Sequence, residues 1–292
     1  MRTIVINSTN IVPDGENNKF IYKFPNSVLF KDDYIALSSI SIYYSWFNIT
    51  SAFQNNVIQY VWDGVTFTIS IPDGIYEVAT LNALLQYTFI QNGHYLVDAT
   101  GSNVYYAQFI VNPARYAVQI NTFLFPTALP AGFTNPAGLA FPAATFNPSI
   151  ILPASINVIL GYVAGFTTNP NIGNAYTPPV GDEFVSKLAN GTLSYISTQA
   201  PNIQPNSSLL VALSNIDNAY AQPSSLIYTI VPSVAVGEII NERPPNFIFN
   251  KLIEGTYNEL RLTILGTDLA PLRIRDPQIT IVLVIKNKSE NI

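Results

Sequence analysis

Cysteine is absent from the 292-residue chain, and histidine occurs once, at His94. The first absence excludes disulfides, thiolate metal sites and cysteine nucleophiles. It also leans towards assembly in a reducing compartment, since secreted proteins of this length often carry disulfides. The second leaves neither a Ser-His-Asp triad nor a multi-histidine metal site supported. Charge is scarce as well. Asp, Glu, Lys and Arg make up 11% of the chain, against about 25% in ordinary globular domains. The net charge of −5 argues against a nucleic-acid surface, which needs a basic stripe. No run of about eighteen apolar residues occurs, so no membrane-spanning helix is expected. The first residues, MRTIVINSTN, lack the apolar stretch of a signal peptide.

What is present is 48% hydrophobic and rich in Tyr and Phe, with Asn, Ser, Thr and Gln in place of charges. This composition can fold, because disorder requires high charge and few aromatics. A free-standing chain of this size covers its surface with Lys, Glu, Asp and Arg. Two readings remain: a sticky extracellular β-protein, or a subunit largely covered by neighbours. Interfaces are depleted in Lys, Glu and Asp and enriched in aromatics, which favours the second.

The best-defined stretch is Val65–Leu96. Val65, Phe67, Ile69 and Ile71 alternate with Thr66, Thr68 and Ser70, the period of a half-buried strand. Pro72-Asp73-Gly74 breaks it as a turn. Val78, Leu81, Leu85 and Phe89 then fall at spacings of three and four, one stripe of a helix. No strong N-cap precedes this helix, though Glu77 suits the positive end of its dipole. Asn92-Gly93 stops it. We expect the helix to lie as a lid on a sheet.

The remainder reads as strands. Lys19–Phe24 ends at Pro25; Tyr34–Tyr44 comes next, with Ile35 and Leu37 on one face before its phase becomes mixed. Val57–Trp62 closes at Asp63-Gly64, a hairpin signal. Further candidates are His94–Val97, Val104–Val111, Tyr116–Ile120, Leu209–Leu213, Leu226–Val231, Asn246–Asn250, Glu259–Leu265 and Ile279–Ile285. The last is a near-continuous apolar run that suits a strand buried on both faces. From Phe125 to Pro179 proline, glycine and alanine dominate and charge nearly vanishes. Yet Phe123, Phe125, Phe133, Phe141 and Phe146 argue for ordered, aromatic-anchored loops over a linker. The expected fold is all-β: an antiparallel sandwich formed by residues 1–120 and 200–292, with one amphipathic helix and a Pro-rich insertion at 121–199; that the sandwich is a single jelly roll is what a family resemblance implies.

Several blocks, Ser45–Thr50 (SWFNIT), Ile71–Gly74 (IPDG), Leu81–Gln86 (LNALLQ), Asn92–Leu96 (NGHYL), Tyr116–Asn121 (YAVQIN), Phe125–Pro136 (FPTALPAGFTNP) and Ile274–Ile285 (IRDPQITIVLVI), together resemble the penton (minor capsid) proteins of virophages and Maverick/Polinton-type DNA elements. The similarity runs from about Lys19 to Lys286. It implies a jelly-roll subunit that closes the five-fold vertices of an icosahedral double-stranded DNA virus shell. The implied partners are four further copies in a homopentamer and the major capsid protein, and a host receptor is left open. The implied location is the virion, assembled in the host cytoplasm or a viral factory. Some adenovirus penton bases carry an Arg-Gly-Asp loop for attachment, and this chain has no such tripeptide.

No constellation of residues supports an enzyme, and no cofactor, metal or catalytic site is assigned. His94 reads as a hydrogen-bonded structural residue. Asp32-Asp33 and Asp182-Glu183 read as solvated turn residues, there being nothing to hold two carboxylates across a sugar bond. Asp268 and Asp276 flank Arg273 and Arg275, an arrangement that suits a structural ion pair better than a calcium site. Asn48, Asn190 and Asn206 begin glycosylation-type tripeptides of the kind chance produces in an Asn-, Ser- and Thr-rich chain. The competing reading is a jelly-roll carbohydrate- or receptor-binding module, such as a fibre or lectin domain, using Trp46, Trp62 or a tyrosine as platform. Specific micromolar binding on a glycan array would favour the module reading.

Overall fold

The computed structural model describes residues 1–168, 184–187, 192–203 and 206–290. The chain divides into two compact units: Met1–Phe47 with Gln204–Ile292, and Asn48–Ile203. It opens with β1 (Arg2–Ile6), β2 (Lys19–Phe30) and β3 (Asp33–Tyr43). The second unit begins with β4 (Val57–Trp62), β5 (Val65–Ser70), α1 (Val78–Asn92), β6 (Leu96–Val97), β7 (Asn103–Val104), β8 (Ala107–Asn112) and β9 (Ala117–Thr122). It continues through β10 (Ser149–Ile151), α2 (Ile156–Leu160), β11 (Phe184–Lys187) and β12 (Leu193–Ile196). The first unit resumes with β13 (Leu209–Leu213), β14 (Leu226–Ile230), β15 (Ile239–Glu242), β16 (Asn250–Lys251), β17 (Gly255–Leu265) and β18 (Thr280–Asn287).

In the first unit one sheet runs β1-β18-β3-β15 and the other β14-β13-β17-β2, all antiparallel, with the short β16 also on β3. Leaving β16 aside, the eight strands pair first with eighth, second with seventh, third with sixth and fourth with fifth. That is one long hairpin of four paired segments rolled into two sheets, the jelly roll. Its core lies between the sheets: Phe20, Ile35, Leu37, Ile40, Leu262 and Leu283 are each at most 2% exposed.

Two irregularities explain the sequence pattern here. Between Val282 and Leu283 the partner on β3 jumps from Ser39 to Leu37, leaving Ser38 as a bulge. One extra residue moves side chains to the opposite face. Ile35 and Leu37 point inward before it and Ile40 and Ile42 after it, so the phase of β3 is mixed. On β2, Pro25 does not end the strand. The strand is an edge, and its register on β17 slips between Tyr257 and Glu259 so that Phe24–Ser27 bulges out. Proline is tolerated at an edge or bulge because no ladder donor is required there.

The second unit has a separate core. Its sheets are β10-β4-β5, β11-β12-β9-β8 and the short pair β6-β7. Asp63 and Gly64, both at positive φ (45° and 79°), form the two-residue turn that pairs Trp62 with Val65, the twist a tight hairpin needs. Helix α1 buries Val78, Leu81, Leu85 and Phe89 at 2% exposure or less, as the spacing predicts. Asn82 Oδ1 accepts the Phe109 N–H at 2.9 Å, so the helix covers an amide of the edge strand β8. Glu77 makes no side-chain cap, and Gly93 ends α1 in the left-handed region at φ 69°.

The Pro-rich stretch, as far as Thr168, is part of this core. Phe125 is fully buried and exchanges a bridge with Phe146, while Phe123, Phe133, Phe141 and Phe146 pack against the cluster. The observed division at 47/48 and 203/204 therefore differs from the expected insertion of 121–199 mainly at its first boundary. The composition changes at Phe125, but β4–β9 and α1 share one core with the residues beyond that point, and the jelly roll has its own. The expected strand Val104–Val111 is interrupted at Tyr105-Tyr106, and the Pro-rich stretch carries helix α2 at Ile156–Leu160. Asn246–Asn250 contributes only the beginning of β16.

Candidate functional site

His94 has the environment of a core residue. It is 8% exposed, stacked face to face on Trp62 (centroids 4.5 Å, 6° between planes) and set edge-on to Phe67. Asn92 Nδ2 donates to the Tyr60 hydroxyl at 2.7 Å, and that hydroxyl lies 2.9 Å from His94 Nδ1. A neutral ring whose Nδ1 carries no proton would accept the Tyr60 O–H in this contact. Burial pushes the imidazole down to about 4, and burial raises Tyr60 to about 12 against the opposing bond from Asn92. The ring makes no nucleophile–base pair: its neighbours are a phenol and aromatic faces.

The acids do not converge either. Asp33 is a correction to the turn reading. It is 3% exposed and accepts from the Arg2 guanidinium, the Lys31 N–H and Asn287 Nδ2. It thus latches the ends of β1, β3 and β18, and only Asp32, at φ 53°, sits in the turn as expected. Asp182 and Glu183 lie outside the described residues. Arg273 pairs with Glu16 at 3.0 Å rather than with either flanking aspartate, and Arg275 lies 4.9 Å above the Phe47 ring. Asp268 and Asp276 instead accept the backbone N–H groups of Ala270 and Gln278. Among the described residues no three His, Asp or Glu side chains come together as a metal-ion site. Among them, too, no helix is long and apolar enough to cross a membrane.

Neither tryptophan offers a sugar platform. Trp46 is 5% exposed and stacked on Tyr44, and Trp62 is enclosed with His94. Asn48 is buried by its own hydrogen bonds. Its Nδ2 donates to the carbonyls of Tyr76 (2.8 Å) and Ile203 (2.7 Å), and its Oδ1 accepts the Tyr76 N–H (2.9 Å). A side chain so engaged is a staple and not a glycan acceptor. Asn206 accepts from the Thr267 N–H, and Asn190 lies outside the described residues.

What the jelly-roll unit does display is apolar surface. Leu29 on the edge strand β2 is 64% exposed. The connection from β15 to β17 presents Phe247, Ile248 and Ile253 to solvent. Arg243-Pro244-Pro245 stiffens its start, and Phe249 is held under the Lys286 ammonium at 4.1 Å. Such side chains on a thinly charged molecule make this the candidate assembly surface.

Comparisons with family models and with curated proteins give no match. Two solved structures align over nearly the whole chain. The mavirus penton protein does so at 10% identity, covering 98% of each chain with a TM-score of 0.42. A chain of the Sputnik virophage does so at 11% identity, covering 99% of each with a TM-score of 0.38. Scores this low carry no argument, so the fold assignment rests on strand pairing in this chain alone.

Sequence reasoning placed His94 and the α1 stripe correctly and missed the latch at Asp33 and the staple at Asn48. The missed pair depend on partners far along the chain, at Arg2, Asn287 and Ile203, which local pattern does not register. It also missed the exposed Phe247 and Ile248, because alternation read Asn246–Asn250 as strand.

Proposed function

We propose that the chain is a structural capsid protein, non-enzymatic, that forms the pentameric vertex of an icosahedral double-stranded DNA virus shell. The observation that carries this reading is the eight-strand jelly roll, present once among the described residues, on a chain poor in charge with apolar side chains left in solvent. Fold alone does not give function. The resemblance of the sequence blocks to penton proteins and the exposed Leu29, Phe247 and Ile248 supply the direction. In this reading five copies stand around the axis, each repeating one head-to-tail contact, and the ring meets the major capsid protein within the virion. Assembly takes place in the host cytoplasm or viral factory. Negative-stain imaging of the purified chain, alone and mixed with its shell protein, is the test. Five-fold rosettes that associate with shell fragments are expected; a monomer that never associates contradicts the proposal.

A further inference from the structure

On the outer face of the β1-β18-β3-β15 sheet lies an open cleft of about 360 Å³. Its floor is built on three neighbouring strands. Ser41 of β3 is paired with Thr280 of β18, and Tyr43 of β3 with Ile239 of β15. These side chains face outward because Ile40 and Ile42, on either side of Ser41, fill the core. Asn7, Ser8, Thr9, Gln278 and Ile279 complete the lining.

The lining is chemically one-sided. Apart from the two isoleucines every residue carries a hydroxyl or an amide, and none is charged. Ligand pockets of ~300–1,000 Å³ are ordinarily apolar with a few polar groups; here the balance is inverted. Among the described residues, the side chains of Ser8, Ser41, Gln278 and Thr280, and the Tyr43 hydroxyl, make no hydrogen bond within the protein. Their capacity is uncommitted. The wall, in contrast, is fixed. Asn7 Oδ1 accepts the Thr9 N–H at 2.9 Å and the Thr9 hydroxyl at 2.7 Å, while Asn10 Oδ1 accepts the Asn7 N–H at 3.0 Å. Asn10 Nδ2 in turn donates to the Ile21 carbonyl at 3.2 Å, tying the turn to β2. Asn7 Nδ2 has no partner among the described residues, and a pre-set wall lowers the ordering cost of binding.

We propose that this cleft binds a neutral, hydroxyl-rich ligand: a mono- or disaccharide unit of an uncharged glycan. A cation would require carboxylates, and an anion would require Lys, Arg or a convergent set of N–H groups. An apolar ligand would strip water from the free hydroxyls and amides without replacing it. Sugar hydroxyls both donate and accept, as Ser, Thr, Tyr, Asn and Gln side chains do. The half-buried Tyr43 ring and Ile239, 40% exposed, offer apolar area for the C–H face of a sugar ring. The proposal does not depend on the capsid reading.

Saturation-transfer NMR on the full chain tests it, with glucose, galactose, mannose, N-acetylglucosamine and their disaccharides as probes and sialyllactose and glucose 6-phosphate as anionic controls. At least one neutral sugar is expected to receive saturation at millimolar concentration. Gln278→Ala should weaken its binding by up to about tenfold. Ser41→Tyr, which fills the floor, should abolish it, with unchanged melting of both variants. Gln278 is exposed and outside every strand, so that variant carries the test alone if Ser41→Tyr fails to fold. No binding of any neutral sugar, a preference for the anionic controls, or unchanged binding by the variants overturns the proposal.

Discussion

His94 is held neutral by its surroundings, and this has a consequence for acid stability. Stacking on Trp62 favours an imidazolium, but burial dominates and lowers the folded value to about 4 from an ordinary 6.5. Above the unfolded value both states are neutral and nothing is lost. As pH falls from 6.5 towards 4 the unfolded chain takes up a proton that the folded chain refuses. Stability therefore drops across that window, by up to about 3 kcal/mol. The urea midpoint of the wild-type chain should fall more between pH 7 and 4.5 than that of His94→Gln; parallel profiles would remove the imidazole from the account. Asn48 gives a second test at this scale. Its amide joins the first residue of the second unit to Ile203, the last, and to Tyr76. Asn48→Ala orphans one N–H and two carbonyls in a part-buried place and should cost about 1–3 kcal/mol. Hydrogen exchange at the Tyr76 amide should rise accordingly; unchanged protection would mean the staple bears no load.

Helix α1 shows how far local pattern reaches. Its stripe of Val78, Leu81, Leu85 and Phe89 is legible because helical period and burial coincide. Leu85→Ala should cost about 2–5 kcal/mol by chemical denaturation, and Leu85→Asp should yield no folded protein, since its charge would have no partner. A folded, soluble Leu85→Asp would show the stripe to be exposed. The strands were legible where alternation is unbroken, as in β4 and β5. They were obscured where an extra residue resets the phase, at Ser38, or where an edge tolerates Pro25. Strands β1 and β15 are four to five residues long, too short for a period to declare itself. Strands β10 and β12 are held by pairing with the distant β4 and β9, which no window contains. Backbone crowding is equally invisible in sequence. Gly161 ends α2 at φ 78°, and a Cβ there would run into the Gln199 carbonyl, so Gly161→Ala should lower the melting temperature of the second unit measurably.

On the scale of the molecule, the nested pairing of eight strands is interrupted in the chain by the second unit, which enters between the third strand and the fourth. The strand pattern points to a sandwich, the family resemblance to a jelly roll and composition to an insertion, whose first boundary composition misplaces. The boundary is set by which residues share a core, and both units use the same apolar vocabulary. The proposed ring should bury about 2,000 Å² or more at each contact. With so little charge available it should survive moderate salt, unlike a charge-steered interface; dissociation on raising salt alone would contradict an apolar contact. Light scattering behind a sizing column measures the central claim most directly. The account predicts a single species of about 160 kDa, five times the 32.1 kDa chain, with its mass unchanged by salt. A stable 32.1 kDa monomer at high concentration would contradict it.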